Sequence, residues 1–539
     1  MGGFSGYINL ETIATHLDYT KSAFDKKWVI NQDDSSVNVD GFIYNLNSSK
    51  NLLAKSSEEE TLLQLYENSK ESFPNSLRGE FSTVVTTEKS VEIATNHTSS
   101  RRVFYIEYDG VMHFHWNLKL LKDSLLSLGF KPRPNPIALR SLLSIGGVFG
   151  NQTVIQEIYM LRAGEKLIVT EGKWELNRYY LTNSEKTNLS KAQLIDELQE
   201  RFVHTTSLQY DHQEVSGFQL ISGGLDSRLN LSLAAQNGIQ QEAALCFGQT
   251  GCRDHWISEQ LAKEYSLKHS FVSLESGDYL TAIDENTLAV DGLCFYASSA
   301  HFNYALGQTK YISPIIHTGQ IGRSIFTEHP FGLWQNVSEY HALLCSSKYA
   351  DSINNDVKEE MELYDDIDVF YLNNRLYRVI SSGNFVAQKV GFIVSPFADP
   401  DVQDMAFSAH SEWKKKGMLQ WEFMWKHHKN IMKFSQEEYG RPVRSKAEMF
   451  LGRVQNKLRN IYFTRVHKDA SKLSMNPFDF WWQNNLALQS ALDSYFKKNI
   501  ERTEYDPELR EMCASLYNSE SLLEKTLSLT VLSVLKNYF

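Results

Sequence analysis

Leu220-Ile221-Ser222-Gly223-Gly224-Leu225-Asp226-Ser227-Arg228 joins an apolar run at 217–222 to a helical pattern at 226–237. Two adjacent glycines between a buried strand and a helix let the backbone turn tightly and a ligand come close to it. The N–H groups of the turn and of the first helical turn then converge on one point. With the positive end of the helix dipole behind them, they make an anion site. Ser222 and Ser227 add hydroxyl donors. Asp226 fits such a site when Mg²⁺ lies between its carboxylate and phosphate oxygens. The spacing is not G-x-x-x-x-G-K-S/T and no lysine follows the glycines, so the loop is not one that transfers a γ-phosphate. It suits attack at the α-phosphate of ATP with release of pyrophosphate. Alternatively, Asp226 caps the helix at a plain glycine turn.

Downstream the pattern repeats. Runs at 243–247 and 269–272 read as strands and 254–265 as a helix. Strand–helix alternation with short connections predicts a parallel sheet covered by helices. Helical patterns dominate beyond about 335, and the last carries Leu523, Leu527, Val531, Val534 and Leu535 on one stripe. Residues 1–180 read as β-rich, with short apolar runs at 4–10, 36–44, 81–86, 91–95, 103–108, 110–115, 166–170 and 174–179. Val37, Val39, Gly41 and Ile43 alternate with period two, the pattern of a half-buried strand. Helices are predicted at 57–68, behind the acidic run Glu58-Glu59-Glu60, and at 136–145. The polar stretch 182–190 ends in a helix cap, Ser190, and divides the chain into domains 1–185 and 190–539.

With 42% hydrophobic and 22% charged residues, the 539-residue chain can bury real cores. Its 54 Lys and Arg against 65 Asp and Glu give a net charge of −11, which argues against non-specific binding to nucleic acid or anionic membranes. Cys246, Cys252, Cys294, Cys345 and Cys513 are scattered, with no C-x-x-C pair, so neither a disulfide framework nor a zinc site is expected. The first residues lack a basic, apolar leader and no run reaches membrane-spanning length, so a soluble, cytoplasmic protein is expected. His113 and His115 read as strand residues, and His427 and His428 as a helix surface. Trp481-Trp482, with Phe478 and Phe480, reads as core or interface, and no G-x-S-x-G elbow supports a hydrolase.

Several short motifs occur in a telling order. Gly3-Phe4-Ser5-Gly6-Tyr7, Asp40-Gly41-Phe42-Ile43-Tyr44-Asn45 and Leu77-Arg78-Gly79-Glu80-Phe81 precede the boundary. Ser222–Ser227, Thr318-Gly319 and Pro396-Phe397-Ala398-Asp399 follow it. Between Gly2 and about Asp404 the chain thereby resembles the class B asparagine synthetase superfamily. The resemblance implies an α+β, Ntn-hydrolase-like β-sandwich domain. An α/β ATP-pyrophosphatase domain (adenine nucleotide α-hydrolase-like) with a helical C-terminal part would follow. It also implies ATP and Mg²⁺ as cofactors. Leu220, Ser222, Gly223, Gly224, Asp226, Ser227, Phe247, Gly319 and Arg323 would lie at the nucleotide, and Asp226 on the metal.

The chain departs from that family at chemical positions. The glutaminase cysteine that follows the initiator Met is Gly2, which carries no nucleophile, and the nearest downstream cysteine is Cys246. The asparagine that helps hold the oxyanion is Asp40, whose ionised carboxylate would repel one. The family's R-G-P-D segment is not recognisable. Thr318-Gly319-Gln320-Ile321-Gly322-Arg323 stands in place of S-G-E-G-S-D. Gln320 therefore replaces the carboxylate base, and Arg323 replaces the second metal aspartate. Arg323 can neutralise pyrophosphate but cannot hold a metal. Glu328 or Asp254 could supply a carboxylate instead. Lys446 is the first candidate for the late catalytic lysine and Lys433 the second, the bland alternative for both being a solvated surface lysine.

By resemblance, the function is an ATP-dependent, AMP-forming amide ligase without its own glutaminase, with Asp226, Gln320 and Lys446 as catalytic residues. Its partners would be a small-molecule, sugar or peptide carboxylate and an amine, with no nucleic acid and no membrane span. A homodimer or a pathway partner is a further expectation. The amine could be ammonia, a group on the same substrate as in β-lactam synthetases and lasso-peptide cyclases, or a separate acceptor. Asn374-Arg375-Leu376-Tyr377-Arg378 and the last helix lean toward polysaccharide-associated members. A non-catalytic nucleotide-binding or scaffold role is the second expectation.

Overall fold

The structure is a computed structural model that describes residues 2–22, 24, 26–32, 35–211, 217–309, 313–327 and 336–539. Eleven strands precede residue 180 among the described residues: β1 (Gly3–Asn9), β2 (Thr15–Thr20), β3 (Lys26–Gln32), β4 (Ser35–Ile43), β5 (Gly79–Thr86), β6 (Ser90–Thr95), β7 (Phe104–Tyr108), β8 (Val111–His115), β9 (Tyr159–Met160), β10 (Glu165–Thr170) and β11 (Lys173–Arg178). They form two antiparallel sheets, β2-β1-β8-β7-β9 and β11-β10-β6-β5-β4-β3. Phe4, Ile8, Ile93, Phe114 and Leu167 fill the space between the sheets. Val37, Val39 and Ile43 pack outward against Leu46, Leu62 and Phe73. Phe104 and Ile106 pack outward against Leu118, Leu121 and Leu142. The result is four layers, helix–sheet–sheet–helix. β4 is consequently buried on both faces, Asn38 and Asp40 included, rather than half-buried as its period-two pattern suggested.

Capping residues start the helices where the sequence placed them. Ser57 Oγ accepts the Glu60 N–H at 3.1 Å. Ser190 forms a reciprocal capping box with Gln193 at the head of Lys191–Tyr210.

The second half builds one parallel sheet from β12 (Gly217–Leu220), β13 (Gln241–Gly248), β14 (Lys268–Ser273), β15 (Ile315–His317) and β16 (Phe392–Val394), in the order β14-β13-β12-β15-β16. The winding direction reverses between β12 and β15. In such sheets ligands bind in the crevice outside the carboxyl ends of the two strands at that switch. The segment 220–228 leaves β12 there, and 318–323 leaves β15.

The last helix, Leu522–Tyr538, is not the one-striped helix its pattern predicted. Leu522, Leu529 and Leu532 are buried as completely as the expected stripe, whereas Leu523 is only partly buried. Its hydroxyls are satisfied inside the core: Ser528 donates to the Cys513 carbonyl at 2.9 Å, and Thr530 Oγ1 accepts the Tyr296 N–H at 3.1 Å. Asn374 and Arg378 hold Gly150 through its N–H (2.7 Å) and its carbonyl (2.8 Å), and Arg375 binds the Ile145 carbonyl. That motif therefore staples the segment 145–150 to the second half. No helix among the described residues is long and apolar enough to cross a membrane.

Charged pairs fix the two halves against each other. Arg162 grips Glu360 with two bonds of 3.0 and 2.7 Å, and Tyr44 donates to Asp399 at 2.7 Å. Arg102 pairs with Asp291 at 2.7 Å, both almost wholly buried, and lies over the Phe385 ring. Burial raises the Asp291 carboxyl above its ordinary range, with Arg102 opposing. Removing one partner of such a pair leaves the other as a buried charge. Arg102→Ala is therefore expected to lower stability by about 3–5 kcal/mol, read by chemical denaturation. A loss below about 1 kcal/mol would show that water reaches the pair.

Candidate functional site

The loop after β12 is held by its own side chains. Ser222 N–H donates to Ser227 Oγ at 3.1 Å, and Gly224 N–H to Ser222 Oγ at 3.2 Å. Gly223 N–H donates to Asp254 Oδ1 at 2.8 Å. Asp254 is buried, and that burial raises its carboxyl above the usual range. Three loop amides expected to face an anion are thus engaged by side chains, and Asp254 holds the loop rather than standing open for a metal. The groups left for an anion are the first-turn N–H groups of Leu225–Gln236, which an α-helix cannot satisfy internally.

Asp226 is not the cap of that helix; the cap position is Gly224. Its carboxylate reaches across to the turn after β15 and accepts the Arg323 N–H at 2.9 Å and the Gln420 amide at 2.5 Å. Burial pushes its pKa up, opposed by those two bonds and by the Arg323 charge. The approach is close. A Cβ on Gly319 would lie 2.5 Å from the Asp226 carbonyl carbon, and one on Gly322 would lie 2.6 Å from Asp226 Cγ. Between them Ile321 takes φ 60°, a left-handed conformation costly for a β-branched residue.

Two cavities meet at this point, and Gly224 and Asp226 line both. The larger, about 260 Å³, is lined by Leu220, Ser222, Ser227, Phe247, Gly319 and Gln320 as the sequence grouped them, with His301 and Phe302 added. The smaller, about 130 Å³, holds Arg323 with Lys416, Gln420, Glu437 and Glu438. The Arg323 side chain is 63% exposed, and its guanidinium sits 3.5 Å from Glu438. Lys446 is exposed in the first turn of Lys446–Ile461 and Lys433 pairs with Glu264 at 2.7 Å, so neither lysine is brought to these cavities. Glu328 lies outside the described residues.

Sequence reading missed several residues here. Arg228, wholly buried, ties the Gly223 carbonyl (2.8 Å) to the Phe434 carbonyl (3.2 Å) and the Ser435 carbonyl. Burial lowers its pKa to about 10. Gln420, Glu437 and Glu438 arrive from elements about two hundred residues away, with no local motif to announce them. Behind Gln320, a cavity of about 20 Å³ lies between the two halves, lined by Glu80, Ser100, Asn384 and Ser395 among others. Desolvation pushes the buried Glu80 carboxyl up to about 7.

In the N-terminal half, Asp40 does not stand open toward a pocket. It is wholly buried, accepts the Ser82 N–H at 3.2 Å, and is bound by the Ser82 hydroxyl and the Arg101 guanidinium. Its charge is paired with Arg101, where the sequence reading had it free to repel an oxyanion.

The histidine readings divide. His113 and His115 sit on β8 as strand residues. His428 is buried, not on a helix surface: its ring nitrogens lie 2.9 Å from Ser232 Oγ and 2.9 Å from Gln199 Oε1, and burial lowers its pKa to about 3. Trp481 is core, its indole N–H bonded to Gln249 at 2.9 Å. The five cysteines are free thiols.

Residues 22–180 match the glutamine amidotransferase domain family. The N-terminal half is therefore related, over that segment, to glutamine amidotransferase domains. No curated protein matches the chain. Among solved structures, glutamine phosphoribosylpyrophosphate amidotransferase from B. subtilis, complexed with ADP and GMP, is similar at 13% identity. That similarity covers 44% of this chain and 58% of that enzyme, with a TM-score of 0.22. An allosteric regulatory enzyme of purine biosynthesis is similar at 10% identity over 50% of this chain and 74% of its own, with a TM-score of 0.23.

The crowding at Asp226 gives a direct test. Gly322→Ala is expected to push the carboxylate off the Arg323 N–H and lower the melting temperature by several degrees. Gly307→Ala, where an added Cβ meets nothing within 4 Å, should not lower it. Equal melting temperatures in the two variants would show that the contact at Asp226 can relax without cost.

Proposed function

We propose that the protein is an ATP-dependent amide-bond-forming ligase that adenylates a carboxylate and passes the acyl group to an amine, without a glutaminase of its own. One observation carries this reading. The loop 222–227 lies at the switch point of a parallel sheet, with Asp226 open to a cavity on either side. The first-turn amides of Leu225–Gln236 and the Arg323 guanidinium supply positive potential for a polyphosphate. In the larger cavity the Leu220 and Phe247 side chains offer an apolar wall for a base.

In the reaction, a carboxylate oxygen of the substrate bonds to the α-phosphorus and the α–β phosphoanhydride bond breaks. The electron pair leaves with pyrophosphate. The amine nitrogen then bonds to the acyl carbon, the bond to AMP breaks, and the nitrogen sheds a proton. Gln320 cannot take that proton, because an amide is no base at neutral pH.

The residues present fit Mg²⁺. Each Asp226 oxygen has a second lone pair beyond the bond it accepts, and Glu438 lines the same small cavity. Mg²⁺ takes one or two carboxylates and completes its shell with phosphate oxygens and water. Bound there, it would neutralise charge on the departing pyrophosphate. The Arg323 guanidinium shares that work, since it occupies the position of a second carboxylate.

Two outcomes test the reading. Asp226→Asn is expected to lower AMP and pyrophosphate formation at least ~100-fold, assayed with a panel of small, sugar and peptide carboxylates. The Asp226 pKa is raised in the folded protein, so its ionised form costs stability as pH rises through that value, and the reaction that needs it fades as pH falls through it. Asp226→Asn should therefore raise the melting temperature at neutral pH while it removes activity. Unchanged AMP formation would favour the nucleotide-binding scaffold.

The second outcome concerns glutamine. The matched segment 22–180 contains no cysteine, and Asp40 is engaged by Arg101. Glutamate release from glutamine is expected not to exceed a heat-killed control, and Gly2→Cys alone should not restore it. Glutamate above that control would overturn this part of the reading.

A further inference from the structure

Lys446–Ile461, with its more widely wound extension Tyr462–Val466, carries a face that the fold does not use. The helix meets the rest of the protein along a narrow strip. Met449 and Gly452 are its buried residues, and a Cβ on Gly452 would lie 2.9 Å from Tyr439. Arg459 closes the strip by donating to the Lys472 carbonyl at 2.7 Å. Away from this strip, Phe450, Val454, Leu458, Ile461, Tyr462 and Val466 are exposed, between 41% and 69%. Spacings of four, four and three residues put the helical members on one stripe. An ordinary surface helix turns its apolar stripe inward; this one turns it to solvent.

The flanks are cationic. Lys446, Arg453, Lys457, Arg459, Arg465 and Lys468 face a single acid, Glu448, within 446–468, while the whole chain carries −11. Lys446, Arg453, Lys457, Arg465 and Lys468 are exposed.

We infer that this helix docks the protein on the surface of an anionic phospholipid bilayer. It would lie in the interfacial plane with the apolar stripe at the acyl boundary and the basic flanks among the headgroups. Charge selects this occupant. A second copy presenting the same face would bring cations against cations. The net charge of −11 argues against anionic surfaces only as an average, because carboxylates beyond a Debye length of about 8 Å are screened. The helix does not span, since no described helix is long and apolar enough to do so. Met449, in its first turns, lines the small cavity with Asp226 and Arg323, so docking sets that cavity beside the bilayer. The inference stands on the helix and does not depend on the ligase reading.

Co-sedimentation of the full chain with vesicles tests it. Binding is expected to phosphatidylcholine vesicles containing about one third phosphatidylglycerol and not to phosphatidylcholine alone, with release near ~0.5 M salt. Phe450→Glu with Leu458→Glu should lower the bound fraction at least ~10-fold, and so should Lys457→Glu with Arg465→Glu. Both pairs are exposed, and circular dichroism should show an unchanged fold. Wild-type protein left in the supernatant with anionic vesicles would overturn the inference, as would variants that bind like wild type. A wild-type dimer by light scattering that Phe450→Glu with Leu458→Glu turns into a monomer would assign the stripe to a second copy, and would overturn it too.

Discussion

Gly319 and Gly322 bring two chain segments almost a hundred residues apart into contact at Asp226. The rest of the site depends on that approach. The Arg323 N–H can bond Asp226 only because no side chain stands between them. Asn230, one helical turn on, adds a bond to the Thr318 carbonyl at 3.1 Å. The pairing of β12 with β15 is short, with two residue pairs in register, so much of the alignment at the switch point falls to these contacts. Ile321 accepts a strained backbone between the two glycines, an arrangement that persists only where its surroundings over-determine it.

Asp254 and Arg228 complete the frame from the other side. One occupies the Gly223 amide, the other its carbonyl, and both are buried. A buried carboxylate and a buried guanidinium on the two peptide units that flank Gly223 fix its orientation better than they stabilise the fold, because each loses much of its hydration. On the proposed reading, a loop set in this way would need little reorganisation when an anion arrives at the helix start, a condition that favours electrostatic stabilisation of a leaving group.

The N-terminal half takes a structural part in this arrangement. Its inner polar face holds the Asp40–Arg101 pair, and the Arg101 guanidinium lies over the ring of Phe392 in β16. Gln388 reaches back to the Ser100 carbonyl at 2.7 Å. Asp40, Arg101 and Gln388 thus link the N-terminal strands to the segment around β16. The layers of the sandwich are held by apolar packing that does not depend on these polar contacts.

What the amino-acid sequence determined is what short-range physics controls. Ser57 and Ser190 capped their helices, alternation marked β4, a short apolar run marked β5, and two glycines before Asp226 marked the turn. Strands β2 and β3 were not legible, because edge strands expose much of their surface and carry a weak apolar pattern. Strands β15 and β16 were not legible either, because three residues cannot display a period. The last helix showed a stripe, yet only its central place in the core revealed that every side is covered. Which groups surround Asp226 was decided by tertiary structure alone. Its partners Arg323 and Gln420 stand 97 and 194 residues away, and the distance between such residues follows from how the sheet is wound, not from anything their neighbours in sequence prefer.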